Sequence, residues 1–355
     1  MFCTPIKVLN MAFGKNFLLC SALLLLLSLS GCMNAQGKRI LTHKPRNLFV
    51  FGDSYVDTGN TNASTSDSWK PPYGVTFPGK PTGRYSDGLA WADFVAKYLG
   101  LNSPVPYRHL TSRPNHGINF AFGGTGVFNT SSSYPNMTSQ IDLFEKMIRQ
   151  HKYTRQDLAS SVALVAVSGN DHQKFLVENR ATATIQEWED FLQRVVNQTL
   201  HNVLRIQSLG VSRIAVDSLA PMGCVPFVTS INSFNNCDNT TNFLSQFYNQ
   251  LLQVGMAKLS LLAPHAKFVY VDLYNAITSN LEKRRGDLVR NPLKPCCMGK
   301  SAKFTCGSVD GNGVKQYDVC DNPESSFFWD MLHPSHHAWI DLYSSLKPSL
   351  RQIII

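Results

Sequence analysis

What this chain lacks narrows the possibilities first. Only 16% of its 355 residues are charged, and acids are the scarcer sign: 24 Asp and Glu face 33 Lys and Arg, a net charge of +9. Yet 43% of residues are hydrophobic, too many for a disordered tail or a collagen-like rod. A basic surface suits anionic partners such as wall polysaccharide, anionic lipid or nucleic acid. No dense Lys/Arg run with interleaved aromatics occurs, so nucleic acid is the weakest of these. The cysteines form no paired C-x2-C knuckles, which argues against structural zinc. No apolar run reaches the roughly 20 residues that span a bilayer. No Pro/Ser linker or abrupt change of composition divides the chain, which is read as one large domain over residues 36–355.

The first 35 residues read as an export signal. Lys7 and Lys15 precede an apolar stretch from Phe17 to Leu29, and small residues follow at Ser30-Gly31-Cys32. The cut site is open, since Leu29-Ser30-Gly31-Cys32 also has the form of a lipoprotein box and Met11 is an equally good start. Without this segment 31 basic residues face 24 acidic ones, a charge of +7.

Cysteine usage agrees with export. Beyond the signal lie Cys224, Cys237, Cys296, Cys297, Cys306 and Cys320, an even number clustered late, as a disulfide framework would be. Adjacent Cys296 and Cys297 point opposite ways in extended chain, so each seeks a different partner. Asn62, Asn129, Asn136, Asn197 and Asn239 are N-glycosylation acceptors by sequence, a set that permits a secreted glycoprotein without proving one.

Strand and helix signals alternate along the chain. Short apolar runs at 47–51, 164–168, 214–216 and 268–272 stop at glycine or turn residues. Between them, 184–208 and 241–262 show helical periodicity, and a last helix follows His333. That alternation predicts a parallel sheet covered by helices on both faces, an α/β fold. The Pro/Gly-rich 70–88 and the Cys/Gly-rich 291–325 read as ordered surface insertions.

In such a sheet, ligands bind beyond the carboxyl ends of the strands. The first strand delivers Phe51-Gly52-Asp53-Ser54 there. A serine at such a turn presents both hydroxyl and amide to a carbonyl, although Ser and Asp also serve there simply as helix caps. Near the far end, Asp330-Met331-Leu332-His333-Pro334 puts an acid three residues before a histidine, spaced so that the carboxylate meets one ring nitrogen while the other faces the crevice. His333, His336 and His337 have metal-like spacing, but no set of carboxylates or cysteines accompanies them, so no metal or other cofactor is expected. Gly117-Ile118-Asn119-Phe120-Ala121-Phe122-Gly123-Gly124-Thr125-Gly126 offers backbone amides for close approach, and lacks the lysine of a G-x-x-x-x-G-K-[ST] phosphate loop. Val167-Ser168-Gly169-Asn170-Asp171 ends another strand with an Asn able to donate to an oxyanion. Two other readings remain beside a serine hydrolase: a carbohydrate-active enzyme with Asp53, Asp57, Asp171 and Asp330 as paired carboxylates, and a non-catalytic wall- or lipid-binding protein.

Phe51-Gly52-Asp53-Ser54, continuing through Tyr55-Val56-Asp57-Thr58-Gly59-Asn60, resembles the first block of the GDSL esterases/lipases of the SGNH hydrolase superfamily, most closely the plant group. Residues 117–126, 168–171 and 330–334 resemble the later blocks. Gly83-Arg84-Tyr85-Ser86-Asp87-Gly88, Pro221-Met222-Gly223-Cys224-Val225-Pro226 and the late cysteines are also similar, so the likeness runs from about residue 46 to 345. The resemblance implies a three-layer, flavodoxin-like fold with a five-stranded parallel sheet. It implies Ser54 as nucleophile, His333 as base and Asp330 as its partner, with the Ser54 and Gly123 amides and the Asn170 side chain as oxyanion hole. It implies a secreted esterase or lipase acting on an acyl-lipid or another acyl ester, an acylated wall polymer included. Tyr55 replaces the leucine of the namesake motif and is expected to shape packing or the pocket floor. Phe122 and Thr125 replace smaller residues of the plant pattern and are expected to narrow acyl access. Tyr55, Phe120, Phe122 and Phe128 suit either an apolar acyl site or ordinary core packing.

Overall fold

The computed structural model describes residues 44–111, 116–167, 169–179, 182–286 and 291–355. The expected export signal lies outside the described residues, as does Ser168.

Strand β1 (Leu48–Gly52) is buried at every position, which is why it reads as a continuous apolar run rather than an alternating one. It pairs in parallel with β4 (Val162–Ala166), likewise buried throughout. Outward from β4 follow β5 (Arg213–Asp217) and β6 (Lys267–Val271), and on the other side of β1 lie β3 (Ile118–Asn119) and β2 (Val105–Pro106). All neighbours run parallel in the order β2-β3-β1-β4-β5-β6. The sheet thus has six strands where five were expected. The extra one is the two-residue β2, an edge pairing that ends in a proline and carries no apolar run to announce it. Without it the order is that of a flavodoxin-like sheet, whose strand order reverses between β1 and β4.

The helices cover both faces. Helix α9 (His336–Ile354) packs on both α1 (Trp91–Leu99) and α8 (Leu273–Gly286). Helix α2 (Met137–Arg149) packs on α5 (Ile185–Ser208), and α5 on α7 (Asn239–Leu262). Shorter helices are α3 (Arg155–Ala159), α4 (Asn170–Asn179) and α6 (Pro226–Thr229). The long helices start where the chain supplies caps. Thr184 and Glu187 close a reciprocal box at α5, Asp238 accepts from the Thr241 amide at α7, and Ser335 accepts from the Ala338 amide at α9. On α5, Leu192, Val195, Val196 and Val203, which the periodicity anticipated, form a buried stripe with Ile206. Among the described residues, no helix is long and apolar enough to cross a membrane.

The segment 291–325 folds onto itself through β7 (Cys297–Gly299) and β8 (Tyr317–Val319), an antiparallel pair. Three disulfides form: Cys224–Cys237, Cys296–Cys320 and Cys297–Cys306. The adjacent cysteines therefore do take different partners. Cys296, Cys297 and Cys306 build a small second core with Tyr73, Tyr317 and Trp329, so the 70–88 segment is more than a surface insertion.

Candidate active site

Two strand ends and one loop meet at the reversal point of the sheet. Gly52 closes β1 at φ +144, and a Cβ there would stand 2.0 Å from the Ala166 carbonyl oxygen. Only glycine lets the chain leave β1 this close to β4. Ser54 follows two residues on, 8% exposed at the bottom of the cleft.

His333 arrives from the loop before α9. Its Nε2 lies 2.8 Å from Ser54 Oγ, and its Nδ1 lies 2.8 Å from each oxygen of Asp330. A carboxylate only accepts, which puts the ring proton on Nδ1 and leaves Nε2 to accept from the serine hydroxyl. Asp330 Oδ1 also accepts from the Leu332 and His333 amides at 2.8 and 2.9 Å, and Oδ2 from the Tyr73 hydroxyl at 2.8 Å. Burial pushes this carboxyl up, but the His333 ring and the donated hydrogen bonds outweigh it and hold Asp330 below the usual carboxylate range.

Tyrosines brace the relay. Tyr55 donates to the Leu332 carbonyl at 3.0 Å and sets its ring edge-on to His333, centroids 5.9 Å apart. It does line the cleft, as its place after Ser54 suggested. Tyr85 lies 5.0 Å from the His333 ring, and its neighbour Arg84 is clamped to Asp93 through two hydrogen bonds of 2.8 and 2.7 Å. Sequence reasoning missed Tyr73 as a partner of Asp330. The signal for Tyr85 was present in the 83–88 motif, whereas an isolated tyrosine in a Pro/Gly-rich stretch carries none.

The expected oxyanion donors are placed unevenly. Asn170, at the start of α4, lines the cleft beside Ser54. Its amide donates to Asp53 Oδ2 at 3.2 Å and to the Thr125 carbonyl at 3.0 Å, bonds that aim the side chain. The Gly123 amide donates to Asp57 Oδ2 at 2.9 Å, away from the cleft. Gly124 instead shares a groove wall with Asn170. Among the described residues, the Ser54 and Gly124 amides have no hydrogen-bond acceptor.

The remaining acids form no catalytic pair. Asp57 accepts from the Gly59, Asn60 and Gly123 amides, and Asp171 from those of Val127 and Phe128. Burial pushes each of them up to about 6 in spite of those bonds. His336 does not join His333: its Nδ1 accepts from the Leu89 amide at 3.0 Å, and a Cβ on Gly88 would collide with its ring. Phe122 is buried against Tyr134, and the Thr125 hydroxyl bonds the Gly52 and Phe122 carbonyls, so neither lines the cleft at Ser54. Phe120 is core, stacked on Phe51 at 5.3 Å. Asn62, Asn129, Asn197 and Asn239 are exposed, whereas Asn136 is half-buried and spends its side-chain oxygen capping α2.

The chain matches the family model described as GDSL-like Lipase/Acylhydrolase over residues 48–338. A GDSL esterase/lipase of Arabidopsis thaliana is 47% identical over 329 residues, 90% of this chain and 91% of the relative. Another from the same plant is 44% identical over 322 residues, 88% and 90% of the two chains. Among solved structures, a catalytic mutant of an acetylxylan esterase from Geobacillus stearothermophilus aligns with 86% of this chain and 94% of its own, at 13% identity and a TM-score of 0.44. That likeness is too distant to bear on substrate.

Proposed function

This chain belongs to the GDSL-like lipase/acylhydrolase family and is a carboxylic ester hydrolase, and from that premise we propose that it works through Ser54, His333 and Asp330 by way of an acyl-enzyme. The observation that carries the reading is the unbroken relay from Ser54 Oγ through the His333 ring to Asp330, each step 2.8 Å. Ser54 Oγ attacks the ester carbonyl as His333 Nε2 takes its proton, and the carbonyl π electrons move onto oxygen. The Ser54 amide receives that oxyanion together with the Asn170 side chain, whose Nδ2 exchanges one of its two bonds, to Asp53 or to the Thr125 carbonyl, for the oxyanion. The third donor is better sought in the Gly124 amide than in that of Gly123, which Asp57 already holds. Collapse re-forms the carbonyl and breaks the bond to the alcohol, which leaves with the proton from His333. Water, deprotonated by the same ring, then releases the acid and restores Ser54.

Initial rates with p-nitrophenyl acetate test this. Ser54→Ala lowers kcat by about 10⁶-fold, whereas Asn170→Ala lowers it by about 10²–10³-fold. A small organophosphonate forms one adduct, at Ser54. Near-complete activity in both variants would overturn the assignment.

The chain is proposed to be exported and to act outside the cell as a single hydrolase domain over 36–355, after removal of the signal within 1–35. Three disulfides and the exposed sequons at Asn62, Asn129, Asn197 and Asn239 support that route. Its proposed substrate is a small-molecule or lipid ester, with an acylated wall polymer as the alternative.

A further inference from the structure

Two grooves leave the serine cleft, and their walls differ in kind. One, of about 260 Å³, runs between α4, α5 and α7, with Leu176, Trp188, Val228 and Leu244 among its walls. Gln173, Met222, Val225 and Leu332 line both this groove and the cleft at Ser54 and His333, so the two spaces adjoin. The other, of about 430 Å³, lies past Asn170 and is walled by Thr130, Ser131, Ser132 and the Lys174–Glu178 ion pair.

We propose that the groove of Leu176, Trp188, Val228 and Leu244 holds the acyl chain, making this an enzyme for esters of medium-chain fatty acids. The inference rests on Ser54 being the group acylated. An alkyl chain laid along the second groove would strip water from hydroxyls and an ion pair without replacing their hydrogen bonds. That side is left to the alcohol. The first groove exacts a smaller penalty, since among the described residues it holds no ion pair and Gln173, Thr240 and Thr241 are outnumbered by its apolar walls. His172 is its one imidazole, and burial pushes that ring down to about 3, so it stays neutral. At the rim Ile185 and Phe227 are 51% and 37% exposed, an apolar margin open to an entering chain. Its volume of about 260 Å³ bounds the length of chain it can take. Each methylene buried there raises kcat/KM about fourfold.

The test measures kcat/KM for p-nitrophenyl acetate, octanoate and palmitate on the full chain and on Val228→Trp and Leu176→Trp, beside labelling by a small organophosphonate. Octanoate is expected to exceed acetate by at least about 100-fold, with palmitate below octanoate because the groove is full. Either tryptophan is expected to cut the octanoate-to-acetate ratio at least about tenfold. A flat series in the unmodified enzyme, or a ratio that neither tryptophan moves, overturns the acyl groove while intact labelling leaves the Ser54 reading standing. If the unmodified enzyme neither forms an adduct nor hydrolyses any of the esters, both readings fall. A variant that fails to label has lost its fold, and the chain-length series of the unmodified enzyme then decides.

Discussion

Tyr73 reaches Asp330 from 257 positions away, and its hydroxyl is one of four donors converging on that carboxylate. Hydrogen bonds to charged groups contribute about 1.5–3 kcal/mol each. Tyr73→Phe is therefore expected to lower kcat on p-nitrophenyl acetate about tenfold with little change in KM, because the ring that Asp330 orients is affected and the binding grooves are not. A change confined to KM would count against this role. The proximity of Ser54, Asp330 and His333 was legible because each sits in a local context with a chemical logic: a serine at a strand end, an acid three residues before a histidine. Tyr73 and the bond that turns the Gly123 amide toward Asp57 were not, since both depend on segments that meet only in the fold.

Elements were legible in proportion to their burial and length. The runs at 47–51 and 268–272 fall within a residue of β1 and β6, and the stretch at 184–208 matches α5. The run at 164–168 is displaced two residues from β4, whose first residues Val162 and Ala163 belong to the same apolar stretch. β2 and β3, two residues each, leave no periodic trace. The β7–β8 pair owes its shape to cross-links rather than to pattern. Its Cys296 and Cys297 amides donate to the Phe328 and Trp329 carbonyls at 3.0 and 2.7 Å, which ties the pair to the strand of chain leading into Asp330. Cys297→Ser combined with Cys306→Ser is thus expected to lower the unfolding free energy by about 2–4 kcal/mol, measured by urea titration, and to reduce kcat. Full activity with full stability would show that the cross-link does not support the loop.

At the scale of the whole molecule, buried carboxyls set how stability responds to pH. Asp57 and Asp171 titrate near 6 in the fold, against about 3.8 when unfolded, so the native state holds their protons more tightly. Their contribution is complete below about pH 4 and is lost as pH rises through about 6. Asp93 and Asp330 are lowered: burial opposes their charge, but Arg84 and His333 respectively overcome it, and their contribution is lost as pH falls below about 4. Asp57 and Asp171 thus favour a higher urea midpoint at pH 5 than at pH 7.5, while buried His172, pushed down to about 3, pulls the other way. Asp171→Asn should lower the midpoint at pH 5 relative to that at pH 7.5. An identical difference in the variant would assign the pH response to other groups. The cystines behind Asp330 also bear on timing. A newly made chain in a glutathione-rich cytosol keeps its thiols reduced, and the platform under the catalytic acid is not yet locked. On the export route proposed above, hydrolytic competence would trail translocation, and the esters of the producing cell would be spared while the enzyme is being made.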